Sequence, residues 1–170
     1  MAGLLGGTLF GRLALHPAVA EISDRAERGR VLNAAWRRYG VINSLSLAAV
    51  LPGWAGARAG EARARNLSPR ERRLARAKDA FVVASTVSGV STAVQGMRFS
   101  RTAPDGAVPL IDGDRVAPEA TAEQARYKRR LNLLGLVSLG SNLGLVVADA
   151  ALSQENFRRP PARRLRPRLR

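Results

Sequence analysis

The sequence predicts an all-α protein, a four-span transmembrane up-and-down helix bundle whose helices extend beyond the bilayer. Three observations carry this prediction: long segments without charge, helix-start signals ahead of them, and an uneven division of basic residues between the connecting segments. The chain has 170 residues, which is enough for one domain. It contains no cysteine and a single histidine, so no metal site and no cofactor are predicted.

Four segments are candidate membrane spans, because a transmembrane helix needs about 20 predominantly apolar residues. Three of them contain 18 or 19 consecutive residues without Asp, Glu, Lys or Arg. In the last of these three segments, the uncharged residues end at position 148. The N-terminal segment is interrupted by Arg12 and lacks the basic beginning of a secretory signal peptide. The predicted spans are residues 1–20, 39–57, 80–97 and 131–152.

The segments before the second, third and fourth spans carry helix-start signals. Ser68 and Glu71 have the spacing of a capping box, with Pro69 at the first helical position. Similar signals precede the second and fourth spans, so these helices are expected to begin outside the bilayer. The two pairs are Asp24 with Glu27, and Thr121 with Gln124. Pro52-Gly53 is expected to end or bend the second helix.

Two segments are predicted to be irregular. Residues 100–120 contain two Asp-Gly turn dipeptides, which predict a loop with a short hairpin around residues 108–111. The four acidic residues of this loop lack an EF-hand spacing, and turn chemistry explains them better than calcium binding. Residues 158–170 hold three prolines and seven arginines, which predicts a disordered cytoplasmic tail.

The basic residues predict the orientation of the bundle. Residues 58–78 hold eight basic and two acidic residues, and residues 155–170 hold seven arginines and one glutamate. The other two connecting segments, 21–38 and 98–130, are closer to neutral. The positive-inside rule therefore places both termini in the cytoplasm. Abundant arginine, alanine and glycine suggest a bacterial coding sequence, hence the bacterial cytoplasmic membrane.

Small residues at four-residue spacing predict faces where helices pack closely. We expect contacts within one chain, with a homodimer as the alternative. The predicted packing residues are Gly3, Gly7 and Gly11 in the first span, Ser85 and Gly89 in the third, and Gly140 and Gly144 in the fourth.

Ionisable and polar residues within spans are candidate ligand sites. Arg12 and His16 share one face of the first helix, and they either form a site or reach out to the membrane interface. Asp149 either pairs with a basic residue such as Arg58, or with the start of the third helix, or lies solvated at the interface. Asn43, Gln95 and Asn142 either line a cavity or form hydrogen bonds between helices.

The arginine-rich tail suggests binding to membrane lipids. Basic residues close to the cytoplasmic face attract anionic headgroups, by about 1 kcal/mol each. The candidate lipid-binding residues are Arg158, Arg159, Arg163 and Arg164. Nucleic acid is a less favoured partner, because no aromatic residues are interleaved with the arginines.

One family resemblance adds to this interpretation. The glycines of the first helix, Pro17, and the run Trp36-Arg37-Arg38-Tyr39-Gly40 resemble the anthrone-oxygenase-like family of four-span membrane proteins, over residues 3 to about 50. The resemblance implies the four-span architecture. It also implies His16, Trp36 and Tyr39 as site residues for cofactor-free oxidation of a small aromatic or lipophilic ligand. Arg12 and the absence of a second histidine depart from that pattern.

Three functions follow as alternatives. The first is a non-enzymatic structural, partner-binding or lipid-binding membrane bundle, since no P-loop, dinucleotide, HExxH or GxSxG motif occurs. The second is an anthrone-oxygenase-like membrane enzyme. The third is a soluble basic protein that binds nucleic acid, which the net charge of +15 also suits.

Overall fold

The computed structural model describes residues 1–158, and within them the chain forms four helices. Helix α1 is continuous but consists of Ala2–Phe10, the π-helical turn Gly11–Leu15 and His16–Val19. Helices α2, α3 and α4 are Arg25–Ala59, Pro69–Ser100 and Ala122–Arg158. Short 3-10 turns, Ala64–Asn66 and Pro104–Gly106, lie in the two longer connections. The protein is therefore all-α.

The predicted helix-start signals are confirmed. The Asp24 carboxylate accepts hydrogen bonds from the amides of Ala26 and Glu27 at the start of α2. Ser68 and Glu71 form a reciprocal capping box at α3. The same exchange joins Thr121 and Gln124 just before α4, with distances of 2.9 and 3.2 Å. Each of these side-chain contacts provides a hydrogen-bond partner for backbone amides that lack one at a helix N-terminus.

Helix α2 does not end at Pro52-Gly53, the position where the sequence indicated an end or a bend. It continues to Ala59 with Pro52 inside it. A proline removes one backbone hydrogen bond from a helix, but the neighbouring turns keep theirs, and prolines inside membrane helices are common. The helix ends only at Gly60.

Three of the four helices, α2, α3 and α4, are long and apolar enough to cross a membrane. Helix α1 is not among them, so the structure does not by itself establish four spans. In the most apolar stretch of each long helix only 6%, 17% and 22% of the residues are buried. Helices of this kind are compatible with an integral membrane protein.

The surface of these helices is unusually apolar. Many large apolar residues point outward: Phe10 is 65% exposed, Leu13 74% and Leu45 67%. The interior holds a small apolar cluster and, beside it, several buried polar residues. The apolar cluster is Leu4, Leu47, Val82 and Leu145, and the polar residues are Thr8, Ser85, Ser88, Ser141 and Asn142. An apolar exterior around an interior that includes polar residues suits a bilayer, because lipid solvates apolar side chains and leaves polar ones inside.

Helices α3 and α4 form an antiparallel hairpin in one register along their length. Lys78 pairs with Asp149 near one end, and the Lys128 ammonium lies 5.9 Å from the centre of the Phe99 ring near the other. This register places Ser85 level with Ser141, in the middle of the hairpin. Small hydroxylated residues there let the two backbones approach closely.

Residues 101–121, called the cap here, fold over one end of the helices. Val108 and Leu110 are completely buried in the cap and pack against Leu32 and Phe99. Gly29 permits this approach, since a Cβ at that position would overlap the backbone of Val108. An isolated antiparallel bridge pairs Leu110 with Val116 close to the expected hairpin. The cap is thus a packed layer that shares a small apolar core with the ends of the helices.

Candidate functional site

A group of polar side chains lies beneath the cap, where α1 makes its π-helical turn. Such turns widen a helix by one residue and are frequent at functional sites. The turn directs Arg12 towards α4, where the guanidinium Nη2 donates a 2.9 Å hydrogen bond to the carbonyl oxygen of Asn132. Gly135 leaves the room for it, since a Cβ there would lie 3.0 Å from the same nitrogen. Arg12 is therefore held against α4.

His16 is buried in this group, with 7% of its surface exposed. Its Nδ1 lies 3.1 Å from Oδ1 of Asp114, which is in the cap. An ionised carboxylate only accepts hydrogen bonds, so Nδ1 carries the proton, and Nε2 of the neutral ring is left as an acceptor. Nε2 is buried and has no hydrogen-bond partner among the described residues. The histidine thus presents an unused acceptor inside the protein.

The charged residue Lys128 lies near this histidine and binds to the cap. It precedes the apolar segment of α4 by three residues, and its ammonium group donates a hydrogen bond to the carbonyl oxygen of Gly113. Burial lowers the pKa of Lys128 to about 8, although the carboxylates of Asp114 and Asp112 oppose that shift. The Gly113 amide in turn donates to the carbonyl oxygen of His16 at 3.3 Å. Cap and helices are joined here by polar contacts.

Asp112 organises the turn that carries these residues. Its Oδ1 accepts from the amides of Asp114 and Arg115, each at 2.8 Å, and its Oδ2 accepts from the Arg115 guanidinium at 2.7 Å. Partial burial by itself would raise the pKa of Asp112, but these hydrogen bonds outweigh it and lower the pKa. For Asp112 the turn chemistry expected from the sequence is present.

The two aromatic residues named with His16 lie next to it. The Trp36 ring meets the His16 ring edge to face, with centroids 5.7 Å apart, and Tyr39 meets Trp36 in the same way at 5.6 Å. The Tyr39 hydroxyl donates towards the carbonyl oxygens of Gly3 and Leu4, at 2.9 and 3.1 Å. The three residues therefore form one continuous row between α1 and α2.

Asp149 lies at the opposite end of the helices, and its partner is Lys78 of α3. The Lys78 ammonium also lies 4.0 Å from the centre of the Trp54 ring, a cation–π contact. Arg58, the partner suggested by the sequence, pairs instead with Asp79 at 3.2 Å. The Trp54 indole N–H donates to the same Asp79 at 2.8 Å. Two ion pairs thus share one tryptophan.

The uncharged polar residues of the spans lie between these two ends. The Asn142 amide donates to the carbonyl oxygen of Leu4 at 3.3 Å, which joins α4 to α1. The Oε1 atom of Gln95 is buried without a partner among the described residues. Asn43 of α2 lies near Gly89 of α3. Of these three residues, Asn142 acts as a link between helices.

The glycines singled out in the sequence have different neighbours. Gly3, Gly7 and Gly11 lie against α2, where Cβ atoms would meet Ser46, Tyr39 and Trp36 respectively. Gly144 lies against Phe81 of α3, and Gly89 against Leu47 of α2. Gly140 faces open space, with nothing within 4 Å of an added Cβ. Ser85 is buried, and its hydroxyl has no partner among the described residues.

The basic residues assigned to lipid binding lie mostly beyond the described part of the chain. Arg158 is the last residue of α4 and is exposed. Arg159, Arg163 and Arg164 lie outside the described residues, as does the rest of the tail predicted to be disordered. Within residues 1–158, no group of three or more His, Asp or Glu side chains is placed to hold a metal ion.

Sequence reasoning missed three residues of these sites. Asp114 was explained by turn chemistry alone, and Lys78 and Lys128 were counted only as charges outside the spans. No local pattern marks them, because each finds its partner on another element. The one available signal was position: both lysines lie within three residues of an apolar segment, where burial of a charge requires a partner.

Comparisons with protein-family models, with curated proteins and with solved structures find no match to this chain.

Proposed function

We propose that this protein is a four-span integral membrane protein with both termini in the cytoplasm, and that it works as a non-enzymatic lipid-binding bundle. The observation that carries the proposal is the burial pattern of the helices, which expose many large apolar side chains and bury polar ones such as Ser88 and Asn142. Helix α1 forms the remaining span, because its exposed Phe10 and Leu13 side chains require apolar surroundings.

The distribution of charge supports the orientation. The cap lies at the end reached by the less basic connections, and the strongly basic 58–78 segment lies at the end of Lys78 and Asp149. Basic residues beside a bilayer bind anionic headgroups and stay in the cytoplasm. The cap then faces the outside of a bacterial cytoplasmic membrane.

Carbonate washing of membranes, combined with topology reporters, tests this proposal. One reporter follows residue 170 and the other is inserted at Asp105, in the cap. We expect the protein to remain in washed membranes, with the C-terminal reporter in the cytoplasm and the cap reporter outside. Release by carbonate, or both reporters on one side, would overturn the four-span proposal. Release together with salt-sensitive binding of DNA would favour the soluble nucleic-acid-binding alternative.

A second candidate function is an oxygenase-like enzyme at His16, and the unpartnered Nε2 atom favours it. Asp114 holds the proton on Nδ1, so Nε2 is available to remove a proton from an activated substrate carbon. In the reaction suggested by the family resemblance, anthrone and dioxygen give anthraquinone and one water. Trp36 and Tyr39 would provide the aromatic wall.

Purified protein in detergent, mixed with anthrone in air, tests this candidate by the absorbance of anthraquinone. A general base contributes about 100-fold or more to a rate, so His16→Asn is expected to lose nearly all of any turnover. His16→Asn with unchanged turnover would exclude His16 as the base. Absence of turnover by the unmodified protein would leave the non-enzymatic proposal in place.

A further inference from the structure

A cleft opens at the end of the helices opposite the cap, between α2 and the α3–α4 hairpin. It encloses about 570 Å³, a volume typical of sites for small ligands. One wall is the face of α2 that contains Val50, Gly53 and Trp54, and the facing wall is the last part of α4 around Leu152. Nothing else in the described residues occupies this space.

The depth of the cleft matches one leaflet of a bilayer. Its lining on α2 extends from Ser46 to Ala57, which are eleven residues apart, or about 16 Å along a helix. The hydrocarbon layer of a membrane is about 30 Å thick, so one leaflet contributes about 15 Å. Ala57 is the last residue of the uncharged segment of α2. The cleft therefore extends from headgroup level, with Glu61 and Asn156 on its cytoplasmic side, to near the middle of the membrane.

The lining is apolar in the deep part and charged at headgroup level. The charged side chains are Lys78, Asp149 and Glu61, and with the ammonium of Met1 the lining holds two cations and two carboxylates. They carry no excess positive charge, so a purely anionic headgroup gains little here. Lys78 and Asp149 form an ion pair with each other, and a head with both a phosphate and an ammonium group can join that pair, with phosphate at Lys78 and ammonium N–H groups at Asp149 and Glu61.

We propose that this cleft binds a phospholipid of the phosphatidylethanolamine class, with one acyl chain lying along α2 and the head at Lys78 and Asp149. The proposal rests on the proposed function, because it requires the cleft to open into the cytoplasmic leaflet. The primary ammonium matters, since it donates hydrogen bonds to carboxylates and a trimethylammonium head does not. Trp54 lies at the level where its indole contacts both the head and the chain.

Quenching of Trp54 fluorescence by lipids with brominated acyl chains tests this proposal. The chain has two tryptophans, so full-length protein with Trp36→Phe reports from Trp54 alone. In nanodiscs of mixed composition, we expect brominated phosphatidylethanolamine to quench at about a tenfold lower mole fraction than brominated phosphatidylcholine or phosphatidylglycerol. Equal quenching by all three lipids, or a preference for phosphatidylglycerol, would overturn the proposal.

Two glycine variants give a matched pair for the cleft. Gly53 lines the cleft, Gly56 does not, and both have open space at the Cβ position. Gly53→Leu is expected to fill the cleft and abolish the lipid preference, and Gly56→Leu to retain it. An unchanged preference in Gly53→Leu would show that lipid quenches from outside the cleft.

Two further variants test whether the cleft recognises the lipid head and whether the C-terminal residues of the chain occupy it instead. Asp149→Asn is expected to lose the preference for phosphatidylethanolamine over phosphatidylcholine and to retain quenching by both. A chain ending at Arg158 is expected to behave as the full chain does. A gain of binding in that shortened chain would assign the cleft to residues 159–170 and overturn the lipid proposal.

Carbonate resistance of every variant is measured in parallel. Gly53→Leu that stays in washed membranes but loses the preference supports the lipid site. If the protein without the Gly53→Leu substitution is carbonate-resistant and correctly oriented but shows no lipid preference, the site is refuted and the four-span proposal stands. Protein released by carbonate refutes the four-span proposal instead.

Discussion

His16 and Asp114 are separated by 98 positions in the chain, yet Nδ1 of the histidine lies 3.1 Å from a carboxylate oxygen of the aspartate. The contact joins the end of α1 to the cap, and it fixes which imidazole nitrogen carries the proton. Both the stability of the cap and any chemistry at Nε2 depend on it.

We expect Asp114→Asn to weaken the attachment of the cap. The neutral amide keeps the size of the side chain but loses the charge-assisted hydrogen bond, which is worth about 1.5–3 kcal/mol for a charged group. Amide hydrogen exchange of residues 101–121 should become faster. Asp105→Asn is the control: Asp105 has φ 52°, a conformation that asparagine also adopts readily, so the turn at this residue should be unchanged. Equal exchange in both variants would show that the contact contributes nothing.

Substitution of Gly7 should disrupt the packing of α1 on α2. A Cβ at Gly7 would overlap the Tyr39 ring, so Gly7→Ala is expected to cost about 1–3 kcal/mol through displacement of that ring. Gly6 faces open space, and Gly6→Ala should be neutral or stabilise the helix by up to about 1 kcal/mol. Thermal unfolding in detergent compares the two. Equal unfolding temperatures would mean that α1 can shift to accommodate the added Cβ at Gly7 without loss of stability.

Acid should loosen the turn built on Asp112. The pKa of this carboxyl is lowered in the folded protein, so its contribution to stability is present above its unfolded pKa near 4 and is lost as the pH falls through the lower folded value. We expect the unfolding temperature to fall as the pH decreases from about 5 to below about 4, and to fall less in Asp112→Asn. An equal fall in both proteins would assign the acid sensitivity to other groups.

Removal of one partner from the Lys78–Asp149 pair should lower the free energy of unfolding more than removal of both partners does. Lys78 is buried, so Asp149→Ala leaves an ammonium without its carboxylate, at a cost of about 3 kcal/mol. Lys78→Met with Asp149→Ala removes the charge as well and should recover most of that loss. Chemical unfolding of the four proteins of this double-mutant cycle measures the coupling. Additive effects would show that the pair is solvated.

The membrane-length apolar segments of α2, α3 and α4, and the starts of these three helices, could be predicted from the sequence, because both depend on neighbours in the chain. An uncharged run of 18 or 19 residues is a local property, and so is a capping box such as Ser68 with Glu71. The end of α2 was not predictable in this way. Pro52 removes one hydrogen bond, and whether a helix ends there depends on the bonds that remain on either side.

The sequence by itself determined that the chain is helical, strongly basic, and apolar in membrane-length segments. Only the tertiary structure decided which residues meet. It brought Asp114 to His16, set Lys78 against Asp149, and opened the cleft beside Trp54. The physical reason is distance along the chain: an ion pair or a cavity wall forms between elements that are far apart in sequence, and their register is set by the packing of whole helices.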